Sequence, residues 1–337
     1  MDNMILTPEK NLYGKYGNPY RVAEFRIFSF NNCSAGCKNC FYLKSNNNYS
    51  DFSKVYSLGM SLKENGYVLE SCYLLPTDVF ENEFNYQLFD NPDFIKALSI
   101  FNFIGLASTL RNGFDSEVFD KLLSYNSHSL KIELHVNLRE DMLGNPEYLD
   151  HLQTQLKLIK EKYQDKILIN LALNLGTKLS HSDHELLQKL IFEYSDDKIL
   201  EMNYTFLFNP KISREVKIHY LKSSYATIQY FTKEYAKVEK AYTGRTLLRK
   251  PAFVFKDERI FLTPIIPFDE FIFLDEKFCE LEDASFESFL NAYNEIDSRN
   301  IPILEKCEYC EELEFCAGKK FFTVAQHLEL PCIKEAI

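Results

Sequence analysis

Cys33, Cys37 and Cys40 stand at C-x3-C-x2-C spacing in a short glycine-containing loop, Cys33-Ser34-Ala35-Gly36-Cys37-Lys38-Asn39-Cys40. A four-iron cluster takes one thiolate per iron, so three thiolates leave one iron open to chelate and reduce a small molecule. A structural zinc wants four closed ligands, and no fourth Cys or His lies nearby in sequence. A zinc knuckle, or three unrelated core thiols, are the alternatives to a cluster. Cys307, Cys310, Cys316 and the distal Cys332 form a second group at C-x2-C-x5-C spacing. Four thiolates fully ligate either a structural zinc or a four-iron cluster, and spacing alone does not choose between them. His327 could replace one of these thiolates, although a surface histidine is the blander reading.

Seven of the nine cysteines fall in two groups at opposite ends of the chain, which favours two metal sites over a disulfide framework, with Cys72 and Cys279 left as small buried thiols. At 337 residues the chain has room for one large domain and a small one. A net charge of −11 argues against a basic nucleic-acid footprint. No apolar run reaches membrane-spanning length, and the first residues lack the pattern of a secretory signal. A cytoplasmic location, where thiols stay reduced, is therefore expected.

The elements that must position these groups follow from periodicity. Residues 22–30 (VAEFRIFSF) read as a strand immediately before the first cysteine loop. Strands are expected at 67–75, 103–108, 130–138, 167–175 and 199–208. Helices at 50–65, 115–124, 146–163 and 183–194, and one opening at Asn91-Pro92, lie between them. Such alternation implies a parallel sheet covered by helices. Strand 130–138 puts Ile132, Leu134, Val136 and Leu138 on one face, and Glu133, His135 and Asn137 on the other. Asn170 and Asn174 share a face of the next strand, and Asn203 and Thr205 share a face of the last. Polar residues on one face of successive strands suit a curved sheet whose concave side is a pocket; a solvated strand face is the alternative. From residue 222 the pattern changes to a helix over 226–240 and an aromatic-rich, strand-forming stretch over 251–274.

The cysteine spacing after a first strand resembles the signature of the radical S-adenosylmethionine (SAM) superfamily. The second group, after a short β region, looks like the auxiliary-cluster half of the SPASM/twitch domains that follow the barrel in many of its peptide- and protein-modifying members. The resemblance implies an α/β fold: a partial (β/α)6 barrel over 22–222, a linker helix over 223–250, and a small α+β iron–sulfur domain over 251–337, preceded by an N-terminal segment, 1–21. It implies a SAM-binding [4Fe-4S] cluster on Cys33, Cys37 and Cys40, and an auxiliary [4Fe-4S] cluster on Cys307, Cys310, Cys316 and Cys332. The implied chemistry is reductive cleavage of SAM to methionine and a 5′-deoxyadenosyl radical that abstracts hydrogen from a peptide or protein substrate. A flavodoxin- or ferredoxin-type donor would supply the electron, with neither nucleic acid nor membrane as partner. In this frame Glu133, His135 and Asn137 line the reacting centre, while Asn39, Phe41, Tyr42, Thr77, Asp78, Asn170 and Asn203 face the cofactor.

The chain departs from the family pattern in three places. Asn39 stands where an aromatic residue usually precedes the third cysteine, with Phe41 and Tyr42 as stand-ins. Leu75-Pro76-Thr77-Asp78 occupies the place of the Gly-Gly-Glu-type segment that contacts the SAM ammonium, so Thr77 and Asp78 are expected to take over that contact; a Pro-Thr-Asp turn is the alternative. Only Cys279 precedes the second cysteine group, which implies one auxiliary cluster rather than two. Rival readings are a small-molecule substrate, a non-catalytic SAM-binding or cluster-sensing protein, and a zinc adaptor. For a peptide substrate, the stretch 251–274 is expected either to offer a strand edge, with Phe253, Phe255, Phe261 and Phe268 alongside, or to fill a core.

Overall fold

The computed structural model describes residues 21–30, 49–75, 78–80, 87–125, 130–174, 179–196, 200–203, 212–219, 222, 250–265 and 279–297. The six expected barrel strands are present: β1 (Arg21–Phe28), β2 (Tyr67–Leu75), β3 (Phe103–Ser108), β4 (Lys131–Arg139), β5 (Ile167–Asn174) and β6 (Leu200–Asn203). All neighbouring pairs among them are parallel. Between them run α1 (Phe52–Glu64), α2 (Pro92–Leu98), α3 (Ser116–Ser124), the single turn α4 (Glu140–Leu143), α5 (Pro146–Tyr163) and α6 (His181–Tyr194). This is a mixed α/β fold with a parallel core of β/α units, as the alternation of strands and helices implied.

Each crossover helix starts where a short polar side chain can take up its free N–H groups. Asp51, Asn91, Asp115 and Asn145 cap α1, α2, α3 and α5, and Ser180 with Asp183 forms a capping box on α6. Pro92 and Pro146 sit in the first turn, where the missing N–H costs nothing. After α1 the chain turns into β2 through Gly66, whose φ of +83° is a conformation only glycine takes without strain.

Strand alternation decides which face is covered. Ile132, Leu134, Val136 and Leu138 are fully buried beneath the helices, as are Ile169, Leu171 and Leu173 on β5. Burial of apolar area at about 25 cal/mol per Å² makes this interface the main stabilising term, and it leaves the other face of the same strands for the site.

The sheet continues past the sixth strand. β7 (Lys250–Lys256) pairs parallel with β1, on the side away from β2; β8 (Arg259–Ile265) and β9 (Cys279–Leu281) then add antiparallel, and α7 (Phe286–Asp297) follows. The sheet order is β6-β5-β4-β3-β2-β1-β7-β8-β9. The strands read as the start of a C-terminal domain thus extend the barrel sheet. Phe253 and Phe255 are fully buried against Phe25, and Phe253 also meets Phe289, so these aromatics fill a core. β7 is paired on both sides, which removes it as an edge for an added strand. Phe261 of β8 packs against the Phe28, Leu75 and Val254 group; Phe268 and the expected helix 226–240 lie outside the described residues.

Candidate active site

The face of the sheet opposite the helices carries a belt of polar side chains running from β1 to β5. It begins with Glu24 and Arg26, two residues apart on β1 and so on one face, with Arg26 Nε 2.7 Å from Glu24 Oε1. Both side chains are buried, and Ser71 Oγ of β2 donates to Glu24 Oε2 at 3.5 Å. A buried pair of this kind holds a fixed arrangement more than it adds stability, because desolvation offsets much of the attraction.

Arg26 lies over the ring of Tyr73, 5.9 Å from its centroid. The Tyr73 hydroxyl crosses β3 and donates to Glu133 Oε2 of β4 at 3.0 Å. Gly105 makes the crossing feasible. It is the register partner of both Tyr73 and Glu133, and a Cβ there would meet the Tyr73 ring at 2.1 Å. His135, two residues along β4, places Nε2 3.9 Å from Glu133 Oε2, and its ring centroid is 5.3 Å from that of Tyr73. Burial pushes the Glu133 carboxyl up, but the His135 imidazole and the Tyr73 hydroxyl outweigh it and hold the carboxyl below its ordinary value of 4.5. A carboxylate, an imidazole and a phenol within one cluster can accept, donate or pass a proton.

Asn170 of β5 is the register partner of His135. It is 6% exposed, and among the described residues its buried Oδ1 has no hydrogen-bond partner. Such an atom costs about 1–3 kcal/mol in the free protein and therefore needs an explanation. Asn137 lies further along this face of β4, half-buried, and Asn203 of β6 pairs in register with Asn174.

Asp78 follows β2 and is tied inward. Its Oδ1 accepts from the Phe80 N–H at 3.1 Å, and Oδ2 accepts from the Thr109 N–H and, at 2.9 Å, from the Thr109 hydroxyl. The carboxylate thus joins the C-terminal ends of β2 and β3. Burial raises its pKa, while the hydrogen bonds from Thr109, Ser108 and Phe80 pull the other way.

The base of the first cysteine loop is also in place. Tyr49 N–H donates to the Phe28 carbonyl at 2.8 Å, and the Ser29 and Phe30 N–H groups donate to the Leu75 carbonyl at 3.0 and 3.1 Å. The two ends of segment 31–48 are thereby held beside the end of β1, and Cys33 is three positions beyond Phe30. Ser29 Oγ and Tyr49 Oη are buried without partners among the described residues. The thiols Cys33, Cys37 and Cys40, with Asn39, Phe41, Tyr42 and Thr77, lie outside the described residues, as do Cys307, Cys310, Cys316 and Cys332. Among the described residues no group of three or more His, Cys, Asp or Glu is placed to hold a metal, and no helix is long and apolar enough to cross a membrane.

Of the expected site residues, the structure brings Glu133, His135 and Asn170 together. Tyr73, Gly105, Glu24 and Arg26 belong to the same belt and were missed by sequence reasoning. A signal for Glu24 and Arg26 existed: two charges alternate with apolar residues in a strand expected to be buried on both faces.

No protein-family model matches the chain, and no curated protein matches its sequence. Its structure is similar to that of anSMEcpe with bound AdoMet (SAM), at a TM-score of 0.51 and 14% identity, covering 92% of this chain and 98% of that one. A second structure, native anSMEcpe with bound AdoMet and Cp18Cys peptide, also gives a TM-score of 0.51, at 15% identity, covering 94% and 99%. The likeness establishes the fold over most of the chain.

Proposed function

We propose that this protein is a radical SAM enzyme that modifies a peptide or protein. The observation that supports the reading is that Phe30 and Tyr49, which flank the C-x3-C-x2-C segment, are hydrogen-bonded at the C-terminal ends of β1 and β2, in the same parallel sheet whose polar face carries Glu133, His135 and Asn170. Ligand sites in parallel β/α architectures gather at that end of the strands. The bound peptide and AdoMet in the similar anSMEcpe structure support the same substrate class and cofactor here.

Cys33, Cys37 and Cys40 would hold the SAM-binding cluster, and Cys307, Cys310, Cys316 and Cys332 the auxiliary one. When bound, the first cluster supplies the electron that cleaves SAM to methionine and a 5′-deoxyadenosyl radical. The chain's own residues do the rest. By the resemblance, Asn39, Phe41, Tyr42, Thr77, Asp78 and Asn203 would contact the cofactor. Glu133, with its lowered pKa, stands ready as a carboxylate beside His135 to hold a substrate proton, and Asn137 extends the same wall. The apolar group of Phe28, Leu75, Val254 and Phe261 excludes water from the β1 side of the lumen.

The test is anaerobic reconstitution followed by a SAM-cleavage assay with peptides encoded beside the gene as substrates. About eight irons per chain and coupled formation of 5′-deoxyadenosine and a mass-shifted peptide are expected. Replacing Cys33, Cys37 and Cys40 with Ala should remove about half the iron and all cleavage. Stoichiometric zinc without visible charge-transfer absorption would overturn the reading, and a metabolite that alone gave coupled product would overturn its peptide half.

A further inference from the structure

We propose that Glu258 is a positioning residue: from the turn of the β7–β8 hairpin it latches the chain where it leaves the C-x3-C-x2-C segment, which on the reading above carries the SAM-binding cluster. Ser50 Oγ donates to Glu258 Oε1 at 3.0 Å, across a separation of 208 residues. Tyr49, the residue before, is fully buried. Its ring stands edge-on to Phe255 of β7 at 5.2 Å, and its N–H donates to the Phe28 carbonyl of β1 at 2.8 Å. Asp51, the residue after, caps α1. Three consecutive residues thus fix the exit of the segment, and two of them do so against the hairpin.

Local turn chemistry alone would choose a different residue at 258. Only Asp257 and Glu258 lie between the paired Lys256 and Arg259, and both take positive φ, +54° and +59°. Two-residue hairpin turns with that backbone favour Asn-Gly, because glycine enters the left-handed region without strain and glutamate does not. A residue that breaks the local preference needs a gain elsewhere. Among the described residues, the Ser50 hydroxyl is the donor that the Glu258 carboxylate meets. The hairpin lies on the way to the second cysteine group, so the latch makes the C-terminal part of the chain a support for the first.

Amide hydrogen exchange of the full chain, read at Tyr49, tests the proposal without SAM, reductant or turnover, so its failure is distinct from failure of the enzymatic reading. Glu258→Gly removes the acceptor while easing the turn. The Tyr49 amide should then exchange about 2- to 10-fold faster, the factor one net hydrogen bond supplies, while the amides of the β7–β8 ladder do not. Ser50→Ala should give the same acceleration, and the double variant no more than either alone. Glu258→Gln keeps an acceptor for Ser50 and should restore the wild-type rate; Asp257→Gly eases the same turn but keeps Glu258, and should leave Tyr49 unchanged. Wild-type exchange at Tyr49 in Glu258→Gly, additive effects in the double variant, or acceleration in Glu258→Gln or Asp257→Gly overturns the proposal. After anaerobic reconstitution, a chelator should also strip iron from Glu258→Gly about 2- to 10-fold faster than from wild type. An equal rate overturns the proposal; a wild type that takes up no iron defeats the enzymatic reading, and the exchange result then decides the latch by itself.

Discussion

Tyr73 and Glu133 are separated by a whole strand, yet the phenol of one donates to the carboxylate of the other at 3.0 Å because Gly105, between them, has no side chain. β2 and β4 are thereby joined across β3 by a side-chain hydrogen bond as well as through the backbone ladder. The relationship also fixes the Glu133 carboxylate beside His135, where the proposed chemistry needs it.

Gly105→Ala should break that relationship. The new methyl would sit 2.1 Å from Tyr73 Cδ1, so the ring must leave its place or the strands must part. A loss of about 1–3 kcal/mol is expected from denaturant melts, the range for overpacking a filled site. In the double variant with Tyr73→Ala the two effects should not add, since the clash disappears with the ring. Additive losses would show that Gly105 serves something other than the passage of Tyr73.

The carboxylates Glu133 and Asp78 should titrate with opposite signs. Glu133 has a folded-state pKa below its ordinary 4.5, so its stabilising contribution is present above the unfolded value and is lost as pH falls through the folded value. Asp78 is raised above 3.8 by burial, so its contribution is complete below the unfolded value and declines as pH rises through the folded one. The stability gap between wild type and Glu133→Gln should therefore narrow as pH drops below about 4.5, in melts run from pH 7 downward. A gap that widened on acidification would reverse the assignment of His135 and Tyr73 as the groups that lower Glu133.

Much of this arrangement was legible in the sequence, because period-two alternation is a direct consequence of the strand pleat. The run 130–138 showed both its strand, observed at Lys131–Arg139, and its faces, and Asn91-Pro92 and Pro146 marked helix starts. What could not be read was anything that depends on which strands are neighbours. Gly105 looks like an indifferent residue in FIGLAS until β2 and β4 flank it. Likewise, the aromatic stretch 251–274 was expected to offer a strand edge or to fill a small domain's core, whereas pairing of β7 with β1 puts Phe253 and Phe255 in the main sheet. Register and strand order come from tertiary packing, and local composition carries little record of them.

Asp78 can be separated into a structural and a cofactor role. Its carboxylate accepts from the Phe80 and Thr109 N–H groups and from the Thr109 hydroxyl. In Asp78→Asn an amide N–H₂ must face one of these donors, so a stability loss of about 1–3 kcal/mol is expected in thermal or denaturant melts. If Asp78 also meets the SAM ammonium, affinity measured on the folded variant by equilibrium dialysis should fall as well. Unchanged affinity with reduced stability would leave Asp78 solely as the tie between the ends of β2 and β3.

Cys307, Cys310, Cys316 and Cys332 should behave as one site, because four ligands close a cluster and removal of any one opens it. Each single Ala variant, reconstituted anaerobically, is expected to retain about half the iron, on the basis of two four-iron clusters per chain. The half that remains belongs to Cys33, Cys37 and Cys40, so SAM cleavage uncoupled from product should survive while peptide modification is lost. Cys279 provides an internal control: it is buried in β9 and packed in the main core, so Cys279→Ala should leave iron content unchanged. Iron and sulfide quantitation with electron paramagnetic resonance of the reduced protein reads all five variants. Full iron and full peptide turnover in Cys332→Ala would remove Cys332 from the ligand set and direct the search for the fourth ligand to His327.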